Sequence, residues 1–155
     1  MHSLAELIAT GNYYKPSLEK FLASAEAQQN GLNEPDYKDR RVKVDALRVR
    51  LANALAKDNL VALVYPHQKR LPVMIGDLNQ AERNGILASL TGFPAITVPA
   101  GFSAPTASAP IGVPVGTEFL GQPFSEPQLL KLAYAFEQAT HARKPPQSTP
   151  PLASR

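Results

Sequence analysis

Three short arrangements in this sequence have residue types suited to chemistry. Ser17-Leu18-Glu19-Lys20 has a Ser-x-x-Lys spacing, which sets a hydroxyl and an amine one helical turn apart, as a Ser/Lys acyl-transfer centre requires. The spacing is common, and the Ser-Asp-Asn and Lys-Thr-Gly companions are missing, so the reading is a solvent-facing helix start. Tyr65-Pro66-His67-Gln68-Lys69-Arg70 follows an apolar run, and ligands bind outside the carboxyl ends of parallel strands; the segment either lines a site or forms a polar turn. Glu82-Arg83-Asn84 precedes another apolar run, where a carboxylate and an amide facing a cleft would orient a polar substrate.

Other chemistries find less support. His2, His67 and His141 lie far apart with no His-Glu-x-x-His pair, and the chain has no Cys, which removes thiolate nucleophiles, disulfides and Cys-ligated zinc. No metal and no cofactor is expected, since neither a Gly-x-Gly-x-x-Gly nor a Walker-type loop occurs. Lys38, Arg40, Arg41, Lys43, Arg48 and Arg50 form a basic stretch, but Asp36, Asp39 and Asp45 interleave with it, and the formal net charge is only +3. A solvated helix face with internal ion pairs is expected there, and no nucleic-acid partner.

These groups must be positioned by elements that the pattern also specifies. Nine of the fifteen prolines fall between Pro66 and Pro127, so a helical front gives way to a punctuated middle and then to a proline-rich tail. The front predicts a helix capped by Ser3 and stopped by Gly11, and a second after Pro16 with Leu18, Phe21, Leu22 and Ala25 on one stripe. A third, of some six turns, starts near Pro35 and carries Tyr37, Val44, Leu47, Leu51 and Leu55. Leu60 to Pro66 reads as a strand covered on both faces, the habit of parallel strands. Asn79 to Leu90 reads as a helix ended by Thr91-Gly92, and Ala95 to Val98 as a strand bracketed by prolines. Phe102 to Pro110 reads as a flexible loop. Val113 to Leu120 reads as a strand with faces of different polarity. The last helix is expected to have Ser125 as its cap and Phe124 stapled against Leu129.

The fold class expected is α/β, an incomplete mixed sheet of about three strands flanked by helices. Two of those strands suit the middle of a sheet, and three strands supply little middle. The chain is therefore expected to lie against more sheet than it contains, supplied by a partner chain, a second copy or a further portion of the gene product. No apolar run reaches the ~20 residues of a membrane span, and the start lacks a basic then apolar leader, so a cytoplasmic protein with no membrane partner is expected.

From Asn84 through Leu90-Thr91-Gly92-Phe93-Pro94-Ala95-Ile96-Thr97-Val98-Pro99 the sequence resembles the amidase signature family. The likeness continues through Gly116-Thr117-Glu118-Phe119-Leu120-Gly121-Gln122-Pro123-Phe124 and Leu129 to Gln138, covers about residues 57 to 143, and extends more weakly to the front. It departs from the family at Ala109 to Gly116, where extra Pro, Val and Gly residues enlarge the segment. The resemblance implies hydrolysis of amide bonds by a Ser, a second Ser and a Lys, with a small amide as substrate. Those groups belong to a Gly/Ser-rich core that this chain lacks, and Lys57-Asp58-Asn59 matches the lysine motif by coincidence only.

The implied organisation is an amidase-like C-terminal segment over 1–143, comprising a helical front 1–58 and a strand and helix part 59–143, then a disordered tail 144–155. No catalytic residue is implied; the substrate-binding set is Glu82, Asn84, Thr91 and Gly92, with Glu82 in the place where some members meet a substrate amine. The chain is expected to be inactive alone and to need a chain or segment bearing the core. The alternative is a non-catalytic interaction or structural fragment derived from an amidase.

Overall fold

The computed structural model describes residues 2–28, 30–146 and 149. In chain order the elements are α1 (Leu4–Thr10), α2 (Lys15–Glu26), a 3-10 turn (Gly31–Asn33), α3 (Pro35–Lys57), β1 (Ala62–Pro66), α4 (Ile86–Thr91), β2 (Ala95–Phe102), β3 (Pro114–Gly121) and α5 (Glu126–Thr140). Most of the expected tail, residues 147, 148 and 150–155, lies outside the described residues.

The front helices form where capping and proline chemistry place them. Ser3 Oγ accepts from the Glu6 amide at 3.1 Å, and Gly11 ends α1 in the left-handed conformation with φ 64°. Neither α1 nor α2 buries a residue, and Phe21 is 68% exposed, so the apolar stripe of α2 is only partly covered among the described residues. Ser17 and Lys20 are exposed on α2. Helix α3 buries its stripe only near its C-terminal end, at Leu51 and Leu55.

The sheet order is β1-β3-β2, and both pairings are antiparallel, so among the described residues the sheet is not mixed. The central strand is β3, not β1 or β2 as the patterning suggested. Residues 118–121 of β3 are all buried, whereas Val64 of β1 is 58% exposed. Strand β2 runs through Pro99 to Phe102 with a register shift between Pro99 and Gly101, an irregularity that an edge strand accommodates where a central one would lose ladder bonds.

Alternation along the strands sorts the core into two layers. On one face Leu120 of β3 packs with Leu51 and Leu55 of α3 and with Phe93, and Leu63, Tyr65, Leu87 and Ala88 close around them. On the other face Phe119 and Val98 pack against Leu129 and Ala133 of α5, with Phe136 meeting Phe119 edge-on at 5.6 Å between ring centres.

The start of α5 departs from the expected cap. Phe124 takes φ 64° and is 90% exposed, so it makes no staple, and Ser125 Oγ donates back to the Gln122 carbonyl at 2.6 Å instead of capping the helix. The tight turn at 122–125 consumes the hydroxyl. Among the described residues no helix is long and apolar enough to cross a membrane.

Candidate functional site

The register that sets Tyr65 of β1 opposite Glu118 of β3 places a phenol beside a carboxylate. Glu118 is only 4% exposed, and a buried carboxylate needs donors on both oxygens. Tyr65 Oη donates to Oε1 at 2.5 Å, and His67, one residue beyond β1, meets Oε2 with Nδ1 at 2.7 Å. A carboxylate only accepts, so Nδ1 carries the hydrogen and Nε2 is left as the outer nitrogen of a ring whose side chain is 43% exposed. Burial pushes the Tyr65 phenol well above its ordinary ionisation range, and the hydrogen bond to Glu118 and that residue's charge push the same way.

The same histidine holds the segment that carries two of the expected site residues. Its carbonyl accepts from the amides of Asn84 at 3.0 Å and Gly85 at 3.2 Å. Asn84 Nδ2 donates to the Pro66 carbonyl at 2.8 Å, and the Lys69 amide donates to the Glu82 carbonyl at 3.0 Å. The imidazole lies against the Gly85 Cα so closely that a Cβ there would collide with the ring.

These cross-segment bonds explain why the helix expected over Asn79–Leu90 is only Ile86–Thr91. The amides of Asn84 and Gly85 are committed to the end of β1, and Glu82 has φ 60°, which no right-handed helix admits. Glu82 therefore sits on a loop, its carboxylate 2.7 Å from the Arg70 guanidinium, with the two side chains 44% and 66% exposed. Gln68 Oε1, in the facing segment, is buried without a hydrogen-bond partner among the described residues.

Thr91 and Gly92 close the other end of α4. Thr91 is 2% exposed; its hydroxyl donates to the Leu87 carbonyl at 2.7 Å and accepts from the Phe93 amide at 3.3 Å. Gly92 takes φ 71° and returns its amide to the Ala88 carbonyl at 2.8 Å, a left-handed ending that a side chain would strain. The structure thus joins Glu82 and Asn84 on one loop, and places Thr91 and Gly92 in the turn that launches β2.

Glu118 was not singled out from the sequence, although it bonds both Tyr65 and His67. Its signal was weak: a lone acidic residue on the alternate face of a strand reads as solvated unless the residue opposite is known. Chemically, the buried carboxylate holds the imidazole of His67, and the Glu82 carboxylate, paired with Arg70, remains partly open on its loop. Among the described residues no cluster of three or more His, Asp or Glu side chains is placed to hold a metal ion.

No family model matches the chain. Among known proteins, it is 46% identical over 66 residues to a glutamyl-tRNA(Gln) amidotransferase subunit of Desulforudis audaxviator, a stretch that is 42% of this chain and 12% of that protein. It is 38% identical over 93 residues to a probable amidase of Arabidopsis thaliana, covering 60% of this chain and 16% of the relative. Among solved structures, the native peptide amidase from Stenotrophomonas maltophilia superposes with a TM-score of 0.67 at 33% identity, over 95% of this chain and 30% of that one. These are amidase-signature enzymes, and the resemblance read from the sequence is borne out. The chain spans under a third of each relative's length.

Proposed function

We propose that this chain is the C-terminal, pocket-completing part of an amidase-signature hydrolase acting on carbon–nitrogen amide bonds. It is inactive alone and depends on a chain or segment that carries the Gly/Ser-rich core, with the serines and lysine of the reaction. The observation that carries the reading is the asymmetry of coverage: nearly all of this chain superposes on the peptide amidase, yet it accounts for 30% of that enzyme. The open sheet agrees with it, since β1 and β2 each keep an unpaired edge among the described residues and α2 leaves Phe21 uncovered.

In this reading the chain supplies a wall of the substrate pocket. The loop at 82–85 offers an acidic group and the turn at Thr91-Gly92 fixes its approach, while attack on the amide carbon and stabilisation of the oxyanion are left to the core. The cytoplasm is the compartment such an enzyme would occupy, and small amides its substrates.

The test is co-expression with the complementary core portion of a peptide amidase, followed by measurement of native mass and of ammonia released from simple amides. A one-to-one complex that releases ammonia, with neither part active alone, is expected. A chain that stays apart from the core and leaves it inactive would sink the reading and favour a non-catalytic fragment.

A further inference from the structure

We propose that Glu118 and His67 form a positioning pair for the loop at 82–85, so that a buried carboxylate on the central strand sets where Glu82 and Asn84 stand. What the loop meets rests on the function proposed above; the clamp itself does not.

Four contacts converge on His67. Nδ1 is tied to Glu118 Oε2 at 2.7 Å, the carbonyl holds the amides of Asn84 and Gly85, and the ring covers Gly85 where any side chain would collide. Glu118 is in turn immobilised by burial and by the Tyr65 hydroxyl, on a strand paired on both sides. An exposed histidine at a strand end ordinarily samples several rotamers; this one is fixed from the interior, and it carries the loop with it. The acidic side chain on the loop itself is Glu82, which pairs with Arg70, a residue brought alongside by the Lys69–Glu82 backbone bond. Position at His67 is therefore transmitted to the carboxylate through backbone, without contact between the imidazole and a ligand.

The experiment begins on the full chain by amide hydrogen exchange. His67→Ala is expected to speed exchange at Asn84 and Gly85 about tenfold or more while the amides of α5 keep their protection, and His67→Asn, which retains a donor in the place of Nδ1, is expected to restore most of it. Glu118→Gln reads the carboxylate's share, and the α5 amides report whether that variant has kept its fold. In the reconstituted hydrolase, His67→Ala should raise KM about tenfold with kcat changed less than threefold, and His67→Asn should recover KM.

Unchanged exchange at the two amides in His67→Ala would overturn the clamp. Faster exchange with unchanged KM in an active assembly would overturn its role in positioning for substrate. Should no assembly be active, the proposed function fails, and the exchange result still decides the clamp.

Discussion

Arg48 Nε donates to the carbonyl of Thr91 at 2.7 Å, joining the middle of α3 to the last turn of α4 across 43 residues of sequence. That carbonyl is one of the orphan acceptors at a helix end, and the guanidinium also meets Asp45 at 3.0 Å, so one side chain satisfies both. The basic stretch expected to be a solvated face thus has one member committed to the fold. Arg48→Ala should lower stability by about 1–2 kcal/mol, the range of a hydrogen bond from a charged donor discounted for partial exposure. Urea midpoints check it, and Arg48→Lys should restore less than half, because one ammonium cannot reproduce the planar fork.

Gly85 should not tolerate a methyl group. Its φ of −61° suits any residue, so the penalty of Gly85→Ala comes from the His67 ring alone and should be about 1–3 kcal/mol. Combining it with His67→Ala should remove most of that penalty. Additive losses in the double variant would show that the ring does not occupy the space above Gly85.

Stability should fall in alkali through Tyr65. Its ionisation is raised in the folded chain above the ordinary value of 10.0, because burial, then the hydrogen bond to Glu118 and its charge, disfavour the phenolate. The unfolded chain therefore loses this proton first. The contribution is complete below pH 10.0 and drains away as pH climbs beyond it. Tyr65→Phe should flatten that alkaline limb in denaturant titrations; identical slopes for the two proteins would contradict the assignment.

Leu55 and Leu120 are both fully buried, on opposite walls of the same core layer. Truncating either to alanine should cost about 2–5 kcal/mol, and thermal melts should show a loss far larger than that of Glu82→Gln. The latter breaks only a surface ion pair with Arg70 and should change stability by less than about 1 kcal/mol. In the reconstituted hydrolase Glu82→Gln should instead weaken KM toward amine-bearing amides, with no matching loss toward neutral ones.

Local chemistry made most elements legible. Ser3, Gly11, Pro35 and Gly92 mark helix ends that the structure reproduces, because each acts on backbone groups one turn away. The exceptions came from hydrogen-bond partners that compete with the helix, one distant in sequence and one local. The segment from Asn79 has helical spacing, but its amides bond the end of β1, and Ser125 has a capping position but spends its hydroxyl on Gln122.

Strand order escaped the sequence for a related reason. Unbroken apolar runs suggested β1 and β2 as central, whereas β3 is central and conceals Glu118 among donors supplied from 51 and 53 residues away. Of the site, Glu82 and Asn84 were expected at the start of a helix and stand instead on the loop before it. Their link to Glu118 depended on a pairing register that composition does not encode.

The strand order also sets a timetable for assembly. Strands β2 and β3 are consecutive and antiparallel, α5 follows at once and covers them, and the loop closing this unit spans only residues 103–113. Strand β1 must span some fifty residues to reach β3, and it brings α3 and the far core layer with it. Long-range pairing slows folding, so the hairpin and α5 are expected to form before β1 docks. The Tyr65–Glu118–His67 cluster is then expected to acquire its native geometry only when β1 docks, after the hairpin and α5.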